Sequence, residues 1–393
     1  MTAAHPAEQP PPIRELPRRA TWFELFGDLV FVAAVGQATH RLGHHPDTLS
    51  VVSAAALFVP LWWTWVLYAV RANRADRDET AQRLIATAGL ATVAGMAVCL
   101  GAVGHSHGAD IGFVVSYVGA RAGVGALYAW DLRHEPRLRR IMRAFVTGSG
   151  ITGAIWLTAT FALHGPARYI AWGVAMTAEL ALPLLAGRRL ADSPSDAEHL
   201  RERFGLFTII VLGETVLGFT NGIVKADTDP AAALTGAAAF ALAAALWWSY
   251  FSGSGTRPGG HEEIAAGGRL MHIYVFGHLP VQLGLAVTGG AVGAAVAAPH
   301  DHLNAALSAC VLGGTALFLT STALVRASFT GVREQVVLVR LVTAAAVLCV
   351  LAAAPHLPVA ATLAIPAALL SVSVVAEVPG HRRRLAVAPA PAA

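Results

Sequence analysis

Apolar runs of about 20 residues follow one another from residue 21 to residue 377, separated only by short polar turns. A helix of that length rises about 30 Å, the depth of a bilayer's hydrocarbon core. Twelve such runs are predicted, at 21–40, 49–70, 83–104, 110–130, 141–163, 168–187, 203–223, 231–252, 269–297, 303–326, 335–355 and 357–377. Only 13% of the residues are charged, whereas 55% are hydrophobic, too little charge to dress a water-facing surface. The pattern predicts an all-α polytopic membrane helical bundle of about 12 transmembrane helices, with the lipid bilayer as its surroundings.

The basic residues give the orientation. All but four of the 28 Lys and Arg residues fall in the N-terminal stretch, in the even-numbered turns, or in the Arg382-Arg383-Arg384 cluster. The exceptions are Arg41, Arg168 and Lys225 on the other side, and Arg121 within a run. This bias predicts both termini in the cytoplasm, in agreement with an even number of spans. It also explains the pI near 9.2 without nucleic acid as a partner. Residues 1–20 are Pro-rich and lack the apolar segment of a signal peptide, so they read as a cytoplasmic tail, as do residues 379–393. Cys99, Cys310 and Cys349 all sit in apolar runs, which excludes a disulfide framework and a cysteine zinc site. There is no P-loop and no G-x-G-x-x-G, and His261-Glu262 lacks the second histidine of a zincin. No cofactor is expected.

Three landmarks recur in the same order at nearly constant offset. Glu24…Phe26-Gly27 returns as Glu202…Phe204-Gly205, Leu61-Trp62-Trp63-Thr64-Trp65 as Leu246-Trp247-Trp248-Ser249-Tyr250, and Arg83-Leu84 as Arg269-Leu270. They predict two six-helix repeats, 21–187 and 203–378, joined by a cytoplasmic linker at 188–202. Six spans per copy leave the copies in the same orientation, related by an axis along the membrane normal.

Five ionisable residues fall well inside the runs: Asp28, Arg121, Glu179, Glu214 and His278. A charge at a helix centre costs about 2.5–3.5 kcal/mol on insertion scales, so such groups must face the bundle interior. Arg121 is the lone fixed cation of this set and needs Asp28, Glu179 or Glu214 as its partner. One guanidinium offsets one carboxylate, and the surplus acid points to a proton-titrating group. The plainer reading of Arg121 and its partner is a pair that fixes helix register. His278, two residues before Pro280, is either a proton carrier beside a kink or a hydrogen-bonded core histidine. Glu24 and Glu202, at the openings of the two repeats, are secondary candidates. His105, His107, His300 and His302 lie in equivalent outer turns and could ligate a transition metal. They read better as polar filler where arginine is excluded, so no metal site is assigned. Trp62, Trp63, Trp247 and Trp248 read as packing or interface anchors.

Thr21–His40, TWFELFGDLVFVAAVGQATH, and Glu202–Glu214, ERFGLFTIIVLGE, resemble the bacterial low-temperature-requirement protein A family. The resemblance extends over roughly residues 20–377, with one local departure: members read Phe where this chain has Gly27. It implies a multi-pass protein of the bacterial plasma membrane, tied by name to growth in the cold. It brings no activity, substrate or catalytic residue with it.

The residues themselves point to a secondary transporter or ion pathway. Its polar site would lie between the two repeats, lined by Asp28, Arg121, Glu179 and Glu214, for a small molecule or ion that the sequence does not name. The alternatives are an intramembrane lipid-modifying enzyme using outer histidines as acid and base, and a non-catalytic scaffold or sensor. Oligomeric state stays open.

Overall fold

The computed structural model describes residues 20–44, 47–74, 79–131, 139–186, 196–253 and 269–387. The N-terminal tail, the Arg-bearing turn at 132–138 and most of the expected linker lie outside them. Among the described residues the chain forms twelve helices longer than one turn and no strand. They are α1 (Trp22–His44), α2 (Thr48–Arg74), α3 (Thr80–Leu100), α4 (His107–Asp131), α5 (Arg139–Ala162) and α6 (Pro166–Ala186). The rest are α7 (Ala197–Lys225), α8 (Pro230–Gly253), α9 (Arg269–Ala297), α10 (Ala305–Thr330), α11 (Gln335–Ala353) and α12 (Val359–Val387). Each predicted run carries one helix. Ten of the helices are long and apolar enough to cross a membrane; α1, with Glu24, Asp28 and Arg41, and α6 are not among the ten. α7 begins inside the expected linker and α12 continues into the expected tail.

The burial pattern is that of a protein solvated by lipid. Leu84, Val98, Leu185, Val342 and Val375 are exposed on the helix flanks, while Arg71, Arg121, Arg168, Arg203 and Arg340 are buried. Water would reverse both placements. At the centre, Trp65 of α2 stacks on Phe207 of α7 at 4.2 Å and meets Phe204 edge-on. Trp62 and Trp63 are also buried, but Trp247 and Trp248 are half-exposed, so the two aromatic clusters serve differently.

α7 and α9 make the most extensive helix contact, and glycines explain it. Gly218 of α7 lies against Gly289 and Gly293 of α9, so the two backbones meet with no side chain between them. Contacts of α1 with α2 and α3, α3 with α4, α4 with α5, and α5 with α6 recur as those of α7 with α8 and α9, α9 with α10, α10 with α11, and α11 with α12. Not every contact has its counterpart: α12 packs along α8 whereas α6 has no comparable contact with α2, and α2 meets α4 whereas α8 has none comparable with α10. α10 holds a π-helical turn at Ala309–Gly313, where Thr288 of α9 donates to the Cys310 carbonyl at 3.4 Å.

Candidate functional site

The structure sorts Asp28, Arg121, Glu179 and Glu214 into three places rather than one. The first lies where the starts of α1 and α7 meet the end of α2, on the arginine-rich face. Asp196 caps α7 by accepting the amides of Glu198 and His199, and Asn73 of α2 grips that cap through the Asp196 carbonyl at 2.6 Å. The next turn of α7 then presents His199 and Arg203 inward. Arg203 donates to Asp28 Oδ1 at 2.9 Å, and the Trp65 indole donates to the same oxygen at 2.9 Å. Glu24, one turn before Asp28, lies 3.5 Å from His199 and 3.9 Å from Arg203, and accepts the Thr21 amide at 2.7 Å. Asp28 Oδ2 and Arg203 Nε and Nη1 are buried without a hydrogen bond. A cavity of about 100 Å³ adjoins them, reaching Tyr68, Arg71 and Gln82.

The second group belongs to α4, α5 and α6. Arg121 pairs with Glu179, which also accepts from the Tyr117 hydroxyl and from the Trp156 indole at 3.2 Å. Ser149 and Thr152 of α5 accept from Arg121 Nη2 and Nη1 at 2.8 and 3.3 Å, and Nε is buried without a hydrogen bond among the described residues. Of the three acids that could serve Arg121, Glu179 is the partner. This pair lies among α4, α5 and α6, away from α7 and α9.

Glu214 stands by itself in the middle of α7. It is buried, and its hydrogen bond comes from the Thr39 hydroxyl of α1 at 3.3 Å. No Arg, Lys or His lies within ion-pair distance of it among the described residues. Gly36 of α1 and Gly289 of α9 flank it, and a Cβ on Gly36 would stand 3.1 Å from its Oε1. The carboxylate therefore lies against the α1 backbone at Gly36, with a neutral hydroxyl as its hydrogen-bond donor.

A model of the bacterial low temperature requirement A protein, LtrA, matches residues 19–376. The chain belongs to that family. It is also 27% identical over 319 residues to the uncharacterized protein RA0937 of Rhizobium meliloti (strain 1021), an alignment that covers 77% of this chain and 76% of that protein. This LtrA protein is thus a multi-pass helical membrane protein by family and by structure.

The remaining candidates fall elsewhere. His278 of α9 is held on both ring nitrogens, Nδ1 against the Tyr274 carbonyl at 2.7 Å and Nε2 against the Tyr250 hydroxyl at 3.0 Å. A carbonyl accepts only, so Nδ1 carries the proton and Nε2 receives the Tyr250 hydroxyl. Glu202 is exposed and accepts the Ala20 amide at 3.2 Å.

Two expectations change. Asp28, Arg121, Glu179 and Glu214 do not share one site, because Arg121 and Glu179 meet among α4–α6, Asp28 pairs with Arg203 of α7, and Glu214 lies by Thr39 of α1. Arg121 is also one of five buried arginines among the described residues. Arg71 pairs with Asp131 at 2.9 Å, Arg168 with Asp110, Arg203 with Asp28, and Arg340 with Glu377 at 2.9 Å. Arg71, Arg203 and Arg340 read as turn residues in the sequence because each lies near the end of an apolar run. A signal was nonetheless there for Arg71 and Arg340, whose partners Asp131 and Glu377 also stand at the ends of runs. Gln282, fully buried and holding Trp62 at 2.6 Å and Thr208 at 3.3 Å, also went unnoticed because it is uncharged.

Proposed function

We propose that this LtrA protein is a secondary transporter or ion carrier of the bacterial inner membrane in which Glu214 takes up and releases a proton. The observation that carries this reading is the contrast among its deep acids. Asp28 and Glu179 each have a guanidinium, whereas Glu214 has a neutral threonine hydroxyl. An unpaired carboxylate at that depth resolves its cost by exchanging a proton. Close glycine contacts between the two halves lie beside it, Gly36 of α1 against Glu214 and Gly290 of α9 against Thr39 of α1, a surface along which the halves can shift.

In this reading residues 21–187 and 203–378 are two six-helix copies, all twelve helices cross the membrane, and both termini are cytoplasmic. The recurring helix contacts and the basic-residue bias support it. The Asp28–Arg203 pair joins the halves on the arginine-rich side, so a shift of the halves would break it there. The family name supports a role in growth at low temperature.

Proteoliposomes adsorbed on a sensor electrode test the proposal. pH steps, alone and with a panel of inorganic ions and small solutes, should displace charge in wild type. Glu214→Gln should abolish the signal and Glu202→Gln should keep it. A Glu214→Gln protein with wild-type currents, or a wild type silent under every condition, would overturn the reading. A deletion strain complemented with Glu214→Gln should grow in the cold no better than the deletion itself.

A further inference from the structure

A cavity of about 420 Å³ opens among α7, α8, α9, α10 and α11, apart from Glu214. Its walls are apolar, formed by Leu206, Ile209, Phe251, Val281, Val325 and Phe329. Ile209 is 46% exposed on the lipid-facing flank, so the apolar wall continues to the bilayer. The inner end is polar and its spare capacity consists of donors. Tyr274, only 8% exposed, makes no hydrogen bond through its hydroxyl among the described residues. Arg340, 2% exposed, uses Nε and Nη2 on Glu377 and the Ser249 carbonyl, leaving Nη1 without a bond among the described residues. Tyr250 spends its proton on His278. The acids of the lining, Glu198 and Glu202, stand at the exposed mouth, together with Arg201 and Arg326.

We propose that this cavity binds a single-chain amphiphile by its acidic oxygen head, a carboxylate or a phosphate, with the hydrocarbon chain laid along the apolar wall toward Ile209. The chemistry follows from the inventory. An acceptor head meets the Tyr274 hydroxyl and Arg340 Nη1, the two donors lining the cavity that no protein acceptor engages among the described residues. Arg340 is already neutralised by Glu377, so it offers a charge-assisted donor without leaving a bare cation when the site is empty. The volume falls within the 300–1,000 Å³ of typical small-molecule sites. A polar molecule lacking a chain would leave the wall from Leu206 to Phe329 unfilled.

Native mass spectrometry of the full-length protein, delipidated in mild detergent, tests this. Oleate, lyso-phosphatidic acid and oleyl alcohol would be titrated separately. Oleate or the lysolipid should add one saturable adduct, and the difference between them tells carboxylate from phosphate; the alcohol should bind at least about tenfold more weakly, the loss expected for one charge-assisted hydrogen bond. Tyr274→Phe should weaken the acid by about the same factor while the alcohol is unaffected. Leu206→Trp, which fills the wall without touching the polar end, should abolish the adduct. Equal binding of acid and alcohol, or an adduct that survives both substitutions in folded protein, overturns the proposal. None of these readouts depends on Glu214 or on transport.

Discussion

Asp28 and Arg203 are 175 positions apart in the chain and 2.9 Å apart in space. The pair ties α1 to α7, and the Trp65 indole of α2 completes it from a third helix. Three helix ends are thus fixed to one another through a single carboxylate oxygen, on the face where Asn73 already holds the cap of α7.

Removing one partner leaves an uncompensated charge in a buried place, which costs about 3–5 kcal/mol. Arg203→Met and Asp28→Leu should therefore each lower the thermal unfolding midpoint in detergent sharply. The double substitution should recover most of the loss, because neither charge is then stranded. A double mutant whose loss equals the sum of the singles would show that the two side chains are not coupled.

The helices were legible in the sequence because lipid imposes a length and a polarity on each run, and little else along these runs competes with that signal. The site was less so. Arg203 and Arg340 lie close to span ends, and a hydropathy profile cannot tell an arginine reaching for the headgroups from one turned inward to Asp28 or Glu377. Helix rotation decides that, and rotation is set by packing partners such as Phe207 and Ser249 that are distant in the chain. Glu214 was visible as a deep acid, but its lack of a cation emerges only once Arg121 is seen to belong to Glu179. The recurring motifs predict two like halves, yet α12 on α8 has no match in α6 on α2.

Arg121 and Glu179 make an informative comparison because their surroundings are unequal. Without Glu179, Arg121 keeps the neutral oxygens of Ser149 and Thr152 but no opposing charge. Without Arg121, Glu179 can take a proton and still accept from Tyr117 and Trp156. Arg is never deprotonated, so it has no such escape. Glu179→Leu should cost more stability than Arg121→Leu, by at least about 1 kcal/mol, within the few kcal/mol typical of breaking a buried pair. Unfolding midpoints of the two variants in the same detergent give the answer; the reverse order would mean that Glu179 stays ionised without its arginine.

At the opposite face Asp229 sits in the turn before α8, where His300 donates to Oδ2 at 2.9 Å and the Ala231 amide to Oδ1 at 2.6 Å. The hydrogen bond from His300, and then that from the Ala231 amide, holds the carboxyl below its usual range. A depressed folded-state value means that the contact stabilises the turn above the ordinary carboxylate range and is lost as pH falls through the depressed value. Titration of carboxyl-labelled aspartate by NMR should show one low midpoint, which His300→Ala moves upward. A midpoint unmoved by that change would assign the depression to the helix start alone.

The glycines of the α9 crossings allow a test in which the chemical change is the same and only the surroundings differ. A Cβ on Gly284 would stand 2.6 Å from the Gly314 carbonyl oxygen and 2.9 Å from the Phe318 amide nitrogen of α10. Both are backbone atoms, which cannot rotate aside, so the helices must part. Gly284→Ala should cost about 1–3 kcal/mol, the range for overpacked interiors. Gly213 of α7 has nothing within 4 Å of that position. There Ala should be neutral or stabilising by about 0.5–1 kcal/mol, because glycine is the weaker helix residue. Unfolding midpoints of the two variants should move in opposite directions. Equal shifts would mean that α9 and α10 yield at their crossing, and that the close approach at Gly284 contributes little to holding the bundle together.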